Sequence, residues 1–117
     1  MDLDNKTLDI INQFKLSLHP EEGWFREIFR SEDNVTGKDG EKRSTITSIY
    51  YLLCKGEKSA WHRVNSADEI WIQLQGAPFN LWCLDDKNKK IRNLRLNSNN
   101  PIAMIPGDTG RLLVQAD

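Results

Sequence analysis

Histidine is scarce in this chain: 117 residues hold only two, His19 and His62. A catalytic zinc site takes about three protein ligands, so a histidine-built metal centre is not expected. Cysteine is nearly as sparse. Cys54 and Cys83 each sit in an apolar run of strand character, which suits buried, reduced thiols better than a disulfide framework. Long apolar runs are missing too, and none approaches the roughly 20 residues that span a bilayer. The opening MDLDNKTLD is acidic and polar, unlike a signal or transit peptide. Charge of either sign is not in excess: 16 basic and 17 acidic residues leave a net charge of -1, so no global field draws the chain to nucleic acid. Repeats and low-complexity tracts are absent as well. The expectation is a soluble cytoplasmic protein with neither a nucleic-acid nor a membrane partner.

What is present fits one domain over residues 1–117, with four tryptophans to enlarge a modest core. Leu8, Ile11 and Phe14 recur at helical spacing, which predicts a helix over 4–18, capped by Asp4 or Asn5 and ended before Pro20. Trp24 to Phe29 reads as a strand with Trp24, Arg26 and Ile28 on one face. The polar, glycine-containing stretch from Ser31 to Arg43 reads as a mobile surface loop. Further strands are expected at Thr45–Leu53, Phe79–Leu84, Lys90–Leu96, Ile102–Ile105 and Leu112–Gln115, with turns at Asp85–Asn88 and Ser98–Pro101. Many short strands after a single helix indicate an all-β sandwich or barrel.

The densest chemistry lies in Gly56 to Gly76, GEKSAWHRVNSADEIWIQLQG. Alternation along a first strand places Ala60, His62 and Val64 on one face. Asn65 to Asp68 supply turn residues. On a second strand Glu69, Trp71 and Gln73 share a face opposite Ile70, Ile72 and Leu74. If His62 and Glu69 both face inward, an imidazole and a carboxylate meet where a low dielectric makes them tunable.

This spacing resembles the first motif of the cupin superfamily, G-x5-HxH-x3,4-E-x6-G. The words HPEEGWFREIFRS (His19 to Ser31), TSIYYLL (Thr47 to Leu53) and SAWHRVNSADEIW (Ser59 to Trp71) narrow the resemblance to the small cupin type 5 family, a domain of unknown function. The resemblance runs from about Leu8 to about Pro106. It implies a cupin double-stranded β-helix, or jelly-roll barrel, with one N-terminal helix, a barrel core over 24–106 and a divergent tail over 107–117. In that family further strands follow the proline-glycine turn, so the barrel is expected to be shortened at its C-terminus, with exposed sheet edges. A homodimer is implied, in which N-terminal strands join the partner's sheet. Val64 stands where the second metal-binding histidine of the cupin motif would be, and no later histidine follows, so no metal and no cofactor are expected. Glu22 replaces a usual glycine, which asks the backbone to turn without that permissive residue.

Three functional expectations follow. The first is a cupin-like protein that binds a small polar metabolite in the barrel through Arg26, His62, Glu69, Trp71 and Gln73, a few polar groups in an apolar lining. The second is a metal-independent sugar isomerase or epimerase. There His62 is the base, Glu69 tunes it, and an inward-pointing tyrosine is the acid, Tyr50 or Tyr51, with Tyr51 taken for the role. The third is an inactive, shortened cupin kept for a structural or interaction role.

Overall fold

The computed structural model describes residues 3–117. They form one helix and a series of short strands, and the chain divides into two compact units, Met1–Cys54 and Lys55–Asp117. No helix among the described residues is long and apolar enough to cross a membrane.

In the N-terminal unit, helix α1 spans Asn5–Phe14. Asp4 caps it, its Oδ1 accepting a 2.7 Å hydrogen bond from the Thr7 N–H. The helix is shorter than the 4–18 expected from its apolar spacing. Lys15 adopts a left-handed conformation at φ 55°, and the Leu16 N–H donates back to the Ile11 carbonyl, which closes the last turn. Ser17–Leu18 is then released to form a short strand, β1, against Trp24–Arg30, β2.

The turn between β1 and β2 is where Glu22 stands for a glycine. It takes φ 85°, a conformation that costs a residue with a Cβ on the order of 1–2 kcal/mol. Tyr51 holds it there, donating its hydroxyl to the Glu22 carbonyl at 2.6 Å. At the next position, Gly23 (φ 86°), a Cβ would lie 2.8 Å from the Leu52 carbonyl oxygen, so only glycine fits.

β2 pairs with β5, Thr47–Leu52, in antiparallel register. The register shifts between Glu27 and Phe29. The simple alternation expected for Trp24, Arg26 and Ile28 therefore fails at Ile28, because a bulge inserts one unpaired residue. The stretch expected as a mobile loop is instead a small hairpin of β3, Asn34–Thr36, and β4, Lys42–Ser44. Its turn is closed by the Gly37 N–H donating to the Glu41 carbonyl and by an Asp39–Arg43 ion pair at 2.6 Å. Polar composition hid it, since both faces of this hairpin are largely exposed.

In the C-terminal unit, β6 (His62–Arg63), β8 (Phe79–Asp85), β9 (Lys90–Leu96) and β11 (Arg111–Ala116) make a four-stranded sheet in the order β6-β11-β8-β9. β7 (Glu69–Ile72) and β10 (Ile102–Ile105) make a two-stranded ribbon. The strand expected at Leu112–Gln115 forms, and it is interior: β11 lies between β6 and β8, with Leu112 fully buried and Val114 2% exposed. Its β-branched and leucine run, together with the glycine at its entry, decides this. Gly110 sits at φ 102°, and a Cβ there would come 2.4 Å from the Leu84 carbonyl oxygen. Leu81, Leu96, Ile105 and Leu112 are completely buried, and Cys83 and Val64 nearly so. Burying each such side chain stabilises the fold by about 1.5–3 kcal/mol before entropy is counted.

Candidate functional site

The strand register of the four-stranded sheet fixes which side chains share its sheltered face. Directly paired residues point the same way, and the pairs His62–Leu112, Leu112–Cys83 and Cys83–Arg92 form one row across β6, β11, β8 and β9. The next rows on that face are Val114–Leu81–Leu94 and Ala116–Phe79–Leu96. An otherwise apolar surface therefore ends in a row with an imidazole, a thiol and a guanidinium.

β6 is only two residues long because the chain turns at once. Ser66 adopts φ 61°, the Val64 N–H donates to the Gly110 carbonyl, and the Gly107 N–H donates to Asp68 Oδ1 at 2.8 Å. A Cβ at Gly107 would lie 2.7 Å from the Ser66 carbonyl carbon, so the turn packs directly onto glycine. Just upstream, the Ser59 hydroxyl accepts from the Val114 N–H at 3.0 Å while its own N–H donates to the Val114 carbonyl. These bonds set the position of His62, which is half-buried.

The ribbon supplies the second wall. Glu69 pairs with Ile105 and Trp71 with Ala103, so these four share one face, and Ile70, Ile72, Ile102 and Met104 share the other. Trp71 donates its indole N–H to Glu69 Oε1 at 2.9 Å, and its ring lies 6.3 Å from that of Phe79. Gln73 shares the expected face but donates its side-chain amide to the carbonyls of Gly76 and Ala77, so that group holds the following turn. Burial pushes the Cys83 thiol above its ordinary pKa, with the positive charge of Arg92 lowering it and the negative charge of Glu69 raising it further. Both charges are thus felt at one buried sulfur.

Of the expected site residues, His62, Glu69, Trp71 and Gln73 fall in the C-terminal unit, and Arg26 and Tyr51 in the N-terminal one. The last two do not share a face. Arg26 pairs with Tyr50, its guanidinium 5.7 Å from that ring, whereas Phe25 pairs with Tyr51 on the opposite side of the β2–β5 pair, where His19 packs edge-on to both. Tyr50 also lies against Phe14, with ring centroids 4.8 Å apart.

Cys83 and Arg92 did not stand out as site residues in the sequence. A signal was available in KIRNLRL: alternation puts Arg92 on the face of Leu94 and Leu96, and a charge on an apolar face is the informative exception. Among the described residues no three His, Cys, Asp or Glu side chains group to hold a metal ion. Val64, at the position of the second histidine of the cupin motif, is 5% exposed and part of the core. These donors do not fit the metal that the fold commonly carries.

The model of the Cupin superfamily (DUF985) matches residues 8–109. Among solved structures, the chain is similar to a hypothetical protein from Leishmania major, with a TM-score of 0.80 and 27% identity over 93% of this chain and 68% of that one. It is also similar to a protein from Shewanella oneidensis, with a TM-score of 0.75 and 27% identity over 92% of this chain and 66% of that one. The chain therefore spans about two thirds of the length of each. No curated protein matches it. The fold is all-β with one N-terminal helix, shared with structures of this family.

Proposed function

The chain belongs to the cupin superfamily (DUF985), and on that premise we propose that the sheltered face of its C-terminal unit binds a small polar metabolite, with His62, Glu69 and Trp71 as contacts. One observation carries the reading: Glu69 stands on the inner face of the ribbon beside the fully buried Ile105, its carboxylate bonded to the Trp71 indole. A carboxylate in that position contributes little to stability, because desolvation offsets what its bonds return. A carboxylate and an aromatic ring side by side are, however, the ordinary means of holding hydroxyl-bearing ligands.

The isomerase alternative needs a proton donor beside His62. The Tyr51 hydroxyl, taken for that role, donates to the Glu22 carbonyl, so binding is the better-supported reading. A homodimer in a reducing, cytoplasmic setting belongs to the same proposal. The exposed apolar face of the ribbon supports the first, and the buried thiol of Cys83 suits the second.

Thermal-shift measurements against a panel of small sugars and hydroxy acids test the proposal. A ligand-dependent rise in Tm that is lost in both His62→Gln and Glu69→Gln, with the unliganded Tm of each kept near wild type, is the expected result. A rise that both variants retain would place the ligand elsewhere.

A further inference from the structure

The C-terminal unit contains four arginines, and three of them meet aspartates: Arg63 and Arg111 approach Asp86, and Arg95 pairs with Asp117. Arg92 differs. Among the described residues its side chain makes no ion pair and no hydrogen bond, although it lies on the same face as Leu94 and Leu96 and directly across from Cys83. Its guanidinium is still exposed, so it keeps water that a ligand can displace. The register thus puts an uncommitted planar cation at one end of a surface whose other polar group of full charge is Glu69.

We propose that Arg92 is the anion-recognising residue of this face, and that the ligand is a polyhydroxylated molecule with one anionic group, a sugar acid or a sugar phosphate. The inference rests on the binding reading given above and names its ligand class. A guanidinium fork matches the two oxygens of a carboxylate or phosphate. Ionised Glu69 would repel that group and accept hydroxyls instead: a carboxylate takes about four hydrogen bonds, and the Trp71 indole uses one of them. The ring of Trp71, beside Phe79, offers an apolar surface to the C–H face of a sugar. The opposite charges of the two residues fix the ligand's direction, with the anion at Arg92 and the hydroxyls at Glu69.

Isothermal titration of the wild type, Arg92→Gln, Arg92→Lys and Arg95→Gln with glucuronate, glucose 6-phosphate and glucose tests this. The expected result is binding of at least one of the two anions, weakened by about tenfold or more in Arg92→Gln, as loss of a charge-assisted pair implies. Arg92→Lys should recover part of that loss because it keeps the charge without the fork. Arg95→Gln, on the opposite face, should be unchanged. Preference between glucuronate and glucose 6-phosphate tells carboxylate from phosphate. Glucose binding as tightly as either anion, with sensitivity to Glu69→Gln but not to Arg92→Gln, would overturn the inference and leave the binding reading standing. Equal weakening by Arg92→Gln and Arg95→Gln would reduce it to bulk charge and overturn it too. Failure of both anions to bind would overturn the inference, while the thermal-shift panel alone decides the binding reading.

Discussion

In the four-stranded sheet of the C-terminal unit the fully buried side chains Leu81, Leu96 and Leu112 turn inward, and the opposite face carries Asn80, Trp82, Arg95 and Gln115 beside Leu113 and Ile91. In the β7–β10 ribbon of the same unit they turn outward. Ile70, Ile72, Ile102 and Met104 are between 54% and 62% exposed, while the sheltered side holds Glu69 and Trp71. The first sheet follows the ordinary rule of burial, and the second departs from it on both faces. Stability explains the first. The proposed function would account for the second, with ligand recognition on the inner face and cover by a second copy on the outer one.

Substitutions can break this comparison or sharpen it. Leu81→Ala should cost about 2–5 kcal/mol by urea denaturation, since it opens a cavity at a fully buried site. A loss below about 1 kcal/mol would mean that the four-stranded sheet is not the stabilising half. Gly110→Ala, where β11 enters that sheet, should cost about 1–3 kcal/mol through its positive φ and the collision with the Leu84 carbonyl. Ile72→Thr, on the outer face of the ribbon, keeps β-branching and should change stability by less than about 0.5 kcal/mol in dilute solution. A much larger loss that grows with protein concentration would show the face buried against a second copy.

The smallest effect is a pH dependence. The folded Cys83 thiol has a raised pKa, so the unfolded chain ionises first. Its contribution to stability is therefore complete below the ordinary thiol value of about 8.5 and declines as pH rises through it. Cys83→Ala should flatten that decline above about pH 8. An unchanged slope would mean that the sulfur is not held in the surroundings described here.

Much of this architecture was legible in the sequence, because alternation in Phe79–Leu84, Lys90–Leu96 and Ile102–Ile105 reports strands whose inner face is apolar. Two elements were not. The helix ends at Phe14 because Lys15 turns left-handed and β1 must pair, a tertiary demand that apolar spacing at Leu18 does not reveal. The β3–β4 hairpin buries almost nothing, so it leaves no hydrophobic pattern to read. The final strand was legible at Leu112–Gln115 although family resemblance ended before it, because Leu112-Leu113-Val114 is as apolar a run as any in the core. For the site, the shared face of Glu69 and Trp71 followed from period two alone. That Glu69 and Arg92 both act on Cys83 depends on the order of strands in space, which one sequence does not state.

Two tryptophans allow the central claim to be read directly. Trp71 donates its indole N–H to Glu69 on the inner face of the ribbon, and Trp82 donates its own to Gln115 on the outer face of the four-stranded sheet. In a 15N–1H NMR titration with glucuronate and with glucose 6-phosphate, the account predicts that at least one of them gives a saturable shift of the Trp71 indole resonance while that of Trp82 stays in place. Movement of the Trp82 resonance with Trp71 unmoved would contradict it.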